Sequence, residues 1–192
     1  MTETPIITAF LDASVLYPAL TRDILMRLGS RGVFDLRWSA KVHDEWAAAL
    51  ARDRPDIPVA RIERTRRLML THLPAALVEG YEQNIESLTL PDADDRHVLA
   101  AALHCEAQII VTANLRDFPD VFLSPRGVEA QRPDAFILGL FNASPEGVRD
   151  ALRELRASLK NPPMTAANLL SAMARQELRE TVQALTPFAD EF

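Results

Sequence analysis

Residues 92–118 read DADDRHVLAAALHCEAQIIVTANLRDF, and the reading of this stretch decides the fold. Val98, Leu99, Ala102 and Leu103 recur at helical spacing, which predicts a helix from about Asp94 to Cys105. After a short link, QIIVT at 108–112 reads as the clearest strand in the chain. A helix joined so tightly to a following strand is an α/β unit. Asn114–Phe118 then reads as a turn or a single helical turn.

The same alternation continues outward. Ile6–Leu11 is a short apolar run ending at Asp12, the pattern of a buried strand. Pro18 suits an early helix position, Leu20, Ile24, Leu25 and Leu28 follow at helical spacing, and Gly29 or Gly32 ends that helix. Val33–Trp38 is a second candidate strand, and Ser39 a good N-cap for a helix to about Arg52. A basic helix is predicted over Val59–Thr71, and no element is assigned between Pro74 and Leu90. These alternating elements predict an α/β fold: a three-layer α/β/α domain with a mostly parallel central sheet. Beyond about Pro133 only helices are expected, near Asp134–Phe141, Pro145–Leu159 and Ala166–Leu185, with NPPM at 161–164 separating the last two. The expected organisation is therefore residues 1–131 as the α/β domain and 132–192 as a helical extension.

Composition narrows the function classes. The 192 residues are 48% apolar and 25% charged, enough for a core without covalent staples. One cysteine, Cys105, excludes a disulfide framework and a four-cysteine zinc site. No apolar run reaches the ~20 residues of a membrane helix, and the N-terminal stretch lacks a signal-peptide layout, so a cytoplasmic protein without a membrane partner is expected. The net charge of −6 speaks against nucleic-acid binding through bulk charge and leaves room for a local basic strip. Such a strip is available on the basic helix, at Arg61, Arg64, Arg66 and Arg67, as an RNA or partner contact or simply a solvated face. No phosphate-binding glycine loop is present.

Four acidic positions stand out. Asp12 closes the first strand, and sites in open α/β sheets gather beyond the carboxyl ends of strands; the same residue also reads as a helix N-cap. Glu45 lies between Val42 and Ala49 along the apolar stripe of its helix, where an ionised carboxylate is costly unless paired. Asp94 and Asp95 open a helix, and Asp95 shares a face with Val98, Leu99 and Ala102; Asp92 reads as a turn residue. Asp117 follows QIIVT, with Thr112 and Asn114 between. Carboxylates gathered at one sheet edge repel one another and call for a cation, and hard oxygen ligands select Mg²⁺ or Mn²⁺. His97, His104 and Cys105 do not match a zinc spacing, although His97 is placed to tune the acidic edge. Trp38 and Trp46 read as core or interface residues.

FLDASVL at 10–16, KVHDEWAAAL at 41–50, LPDADDRHVLAAAL at 90–103 and IIVTANLRDF at 109–118 together resemble a PIN domain, more narrowly the VapC-type toxin ribonucleases. The resemblance covers about residues 5–130, and the tail is similar to the carboxy-terminal extension of a longer VapC-like subgroup. It implies a Mg²⁺- or Mn²⁺-dependent endoribonuclease with catalytic acids Asp12, Glu45, Asp95 and Asp117. Asp12, Asp95 and Asp117 would hold the cation, directly or through water, and Glu45 would ligate or position the attacking water. Asp94 is an adjacent substitute, Asn114 stands where many relatives carry Asp, and Ser14 and Thr112 match hydroxyls that line the family's site. The implied partners are an RNA substrate, a VapB-like antitoxin and a second copy of the chain. Three other readings compete: a phosphatase of the haloacid dehalogenase type, disfavoured by Ser14 where that chemistry needs a second Asp; a weakened binding module, favoured by Asn114; and a housekeeping RNA-processing nuclease.

Overall fold

The computed structural model describes residues 6–160 and 162–192; residues 1–5, and Asn161 of the NPPM break, lie outside the described residues. In chain order the elements are β1 (Thr8–Leu11), α1 (Ala13–Leu16), α2 (Ala19–Ser30), β2 (Asp35–Ser39), α3 (Ala40–Asp53), α4 (Val59–His72), β3 (Leu77–Val78), α5 (Arg96–His104), β4 (Ile109–Val111), α6 (Asp120–Leu123), β5 (Glu129–Gln131), α7 (Pro133–Ala143), α8 (Pro145–Ser158), α9 (Ala166–Arg175) and α10 (Arg179–Leu185). They form two compact units. One holds the described residues up to Tyr17 together with Asp35–Arg132; the other holds Pro18–Phe34 and Pro133–Phe192.

The first unit is an α/β layer structure around a five-stranded, all-parallel sheet in the order β3-β2-β1-β4-β5. Strands β1 and β4 are almost wholly apolar because both faces are covered, as parallel sheets require, whereas β2 carries Asp35 and Arg37. Ala9, Phe10, Leu11, Ile110 and Val111 are fully buried. Register fixes the neighbours: Leu11 pairs with Val111, and Phe10 with Arg37. From β1 the chain builds β2 and β3 on one side, then returns to place β4 and β5 on the other. The order therefore reverses at β1, which makes the gap between the carboxyl ends of β1 and β4 the topological switch point. Ser39 caps α3 by accepting from the Val42 N–H, and Trp38 and Trp46 are both core residues. Burying a side chain of that size contributes about 1.5–3 kcal/mol.

Two strands were not legible in advance. The stretch without an assigned element contains β3, a two-residue edge strand bounded by 3-10 turns, and β5 reads EAQ, with no apolar run. Both are edge strands, where alternation and burial are weakest.

The second unit is helical. Helix α2 precedes the sheet's second strand in sequence yet packs with α8 and α9, because its apolar stripe of Ile24, Leu25 and Leu28 needs a matching helical surface. The units therefore divide the chain differently from a single cut at residue 131. Phe34 and Phe136 meet edge to face at 5.0 Å, and Arg31 reaches Asp150 and Glu154 at 2.7 and 2.5 Å. The single helix expected over Ala166–Leu185 is two helices. Glu177 takes a left-handed φ of 61°, which stops α9 and turns Leu178 into the core. The new N-terminus of α10 lacks a cap of its own, and Asp134 of α7 supplies one: its carboxylate accepts from the N–H groups of Glu180 and Thr181 at 2.8 and 2.9 Å. Replacing Asp134 by Ala should lower stability by about 0.5–2 kcal/mol, read as a lower urea midpoint with an unchanged slope.

Candidate acidic site at the carboxyl edge of the sheet

Asp12 follows directly on β1. Its N–H donates to the Val111 carbonyl at 3.0 Å, which continues the β1–β4 ladder one residue past the strand. Its side chain turns back as the N-cap of α1, with Oδ1 accepting from the Ala13 N–H at 2.7 Å. Oδ2 accepts from Ser14 Oγ at 2.6 Å and from Thr112 Oγ1 at 2.9 Å. The two hydroxyls are themselves acceptors: Ala113 N–H donates to Ser14 and Asn114 N–H to Thr112, each at 3.0 Å. The capping and site readings of Asp12 are therefore compatible. One carboxylate caps a helix and also faces the loop after β4.

Asp95 stands immediately before α5, but its side chain makes no capping bond. It is half-buried, and its carboxyl is pushed up to about 7, first by burial and then by the negative charges of Asp12, Asp117 and Asp92, with His97 acting in the opposite sense. Two carboxylates from other loops, Asp12 and Asp117, and one from its own, Asp92, thus bear on Asp95, and burial and like charge both disfavour its ionised form. Asp94 is exposed, and its N–H donates to Asp92 Oδ1 at 2.9 Å. Asp92, read from sequence as a turn residue, both accepts this bond and bears on Asp95. Asn114 Nδ2 donates to Asp117 Oδ2, so this amide ties down the neighbouring carboxylate.

Glu45 lies on the α3 face turned toward α5. Its Oε1 is 2.9 Å from Nε2 of the buried His97 and 3.3 Å from Lys41 Nζ. Burial pushes the Glu45 carboxyl up, but the His97 contact and the charges of His97 and Lys41 outweigh it, leaving the group below its ordinary value. Two carboxylates on one edge are thus driven in opposite directions, one toward its neutral form and one toward its anion. Pairs of this kind mark functional sites. On α4, Arg61, Arg64 and Arg67 are exposed, whereas Arg66 reaches Asp44 of α3 at 2.5 Å.

An all-oxygen donor set with unbalanced negative charge fits a hard divalent cation in chemistry. Among the described residues, no three His, Cys, Asp or Glu side chains stand at the spacing of a closed metal centre. Also among them, no helix is long and apolar enough to cross a membrane.

The comparisons agree with this architecture. Residues 8–116 match the PIN domain family, and residues 133–187 match the VapC50 C-terminal domain family. The chain belongs to the PIN domain family. It is 36% identical over 104 residues to the protein named "Putative ribonuclease VapC50" of Mycobacterium tuberculosis (strain ATCC 25618 / H37Rv). That match covers 54% of this chain and 61% of the relative, so the chain spans about six tenths of the relative's length. No solved structure matches the chain.

Asp95 gives the site a measurable pH signature. Its carboxyl titrates higher in the folded protein than in the unfolded chain, so between about pH 4 and 7 the folded state binds more protons, and stability falls as pH rises through that window. Replacing Asp95 by Asn should therefore raise stability at pH 8 in EDTA by roughly 1–3 kcal/mol, and the two proteins should converge below about pH 4. Thermal unfolding of both proteins across that pH range measures it.

Proposed function

We propose that the protein is a metal-dependent endoribonuclease, acting in the cytoplasm as the toxin of a toxin–antitoxin pair with a VapB-like antitoxin. The observation that carries the reading is the raised Asp95 carboxyl, which registers the charges of Asp12 and Asp117 at the switch point of a PIN-type sheet. The similarity to a relative whose name says ribonuclease supports the choice of RNA. The exposed arginines of α4 suit phosphate contact, because a guanidinium fork pairs with phosphate oxygens in two places.

In this reading Asp12, Asp95 and Asp117 hold Mg²⁺ or Mn²⁺, directly or through water. When bound, the cation activates water and offsets charge on the scissile phosphate. Ser14 and Thr112 orient Asp12 by donating to its Oδ2. Glu45 stays ionised at neutral pH and accepts the proton of the attacking water. A second reading, a binding module with a weakened site, is favoured by the Asn114 bond that occupies one oxygen of Asp117.

Purified protein given total RNA should cleave it with Mg²⁺ or Mn²⁺, stop with EDTA, and fall to the EDTA level in D95N. Equal cleavage by wild type and D95N would overturn the site. Metal binding with no cleavage of any RNA tested would favour the binding module.

A further inference from the structure

His97 is the buried residue that the proposed chemistry leaves unused. It is 5% exposed, and neither of its ring nitrogens makes an aligned hydrogen bond among the described residues. A histidine buried for packing alone is expected to be satisfied, since an unpaired buried nitrogen costs about 1–3 kcal/mol. His43, on α3, makes a clear bond: its Nδ1 accepts from Trp46 Nε1 at 3.1 Å, with Trp38 edge to face against the ring. The polar contact that His97 does make is Nε2 with Glu45 Oε1 at 2.9 Å. It is a close charge contact without the alignment of a full hydrogen bond.

The contact crosses from α5 to α3 and selects one oxygen. Both His97 and Lys41 fall on Oε1, and no contact falls on Oε2 among the described residues. Lys41 is exposed and sits one turn from Glu45 on the same helix, so it is a mobile partner of small value. His97 is buried in α5, the helix that follows Asp95, and therefore ties Glu45 to the element next to Asp95.

We propose that His97 is the positioning residue for Glu45, holding Oε1 so that Oε2 is presented to the water or substrate at the acidic edge. This rests on the nuclease reading above. It requires only an N–H donor at the place of Nε2. Gln places its amide nitrogen near that position; Asn places its own nearer Nδ1, out of reach of Glu45.

The test compares H97A, H97Q and H97N with wild type in steady-state RNA cleavage, and adds E45Q and E45Q/H97A. The expected result is a kcat loss on the order of 10-fold or more for H97A and H97N with KM little changed. H97Q should recover most of the rate, and H97A should cost nothing further in the E45Q background. Unchanged kcat in H97A, or equal recovery by Gln and Asn, overturns the proposal, because packing and not the Nε2 contact would then explain the residue. Crystal structures of wild type, H97A and H97Q read the same point without activity. Glu45 should keep its place beside residue 97 in wild type and H97Q and leave it in H97A; an unmoved Glu45 in H97A overturns the proposal. A wild type that cleaves no RNA would instead sink the nuclease reading, and these structures alone would then decide the positioning.

Discussion

Everything at the acidic edge depends on the parallel pairing of β1 with β4. These strands are far apart in sequence, yet Leu11 is registered against Val111. The next residue of each chain is therefore delivered to the same place: Asp12 on one side and Thr112 on the other. A shift of one residue in that register would turn the side chains through the sheet and send the carboxylate into the core face. The apolar content of both strands, buried on both faces, penalises such a slip. The site's first acid is thus placed by hydrophobic pairing and only then refined by hydrogen bonds from Ser14, Thr112 and Ala13.

Helices supply the other acids in two different ways. Asp95 arrives just before α5 and is used for neither capping nor pairing, so its carboxyl carries the full cost of burial and of its acidic neighbours. Glu45 sits in the middle of α3, where a carboxylate facing inward must be compensated. His97 and Lys41 compensate it and keep it anionic. One edge of one sheet thus holds a carboxyl that resists ionisation and a carboxylate that resists protonation. In the proposed chemistry the first belongs to cation binding and the second to proton transfer.

The second unit shows the same physics in a simpler form. Amphipathic helices separated widely along the chain gather because each has an apolar stripe to bury. Where Glu177 breaks the last of them, Asp134 from another helix repairs the exposed amides.

The sequence by itself determined the elements whose signals are local. The central strands, the cap at Ser39, the helix leading into β4 and the all-helical tail follow from runs, spacing and caps spanning a few residues. The candidate acidic residues also carry a local signal, because Asp after a strand and Glu in an apolar stripe are locally anomalous. Only the tertiary structure decided what is nonlocal. Edge strands β3 and β5 form because a neighbour offers an open ladder, not because their own residues demand it. Helix α2 joins the later helices because packing surfaces match irrespective of sequence order. Which carboxylate feels which charge, Asp12 and Asp117 on Asp95 and His97 on Glu45, depends on distances of a few ångströms between separate elements. Coulomb energy and burial are properties of that assembled geometry, and no pattern along the chain encodes them.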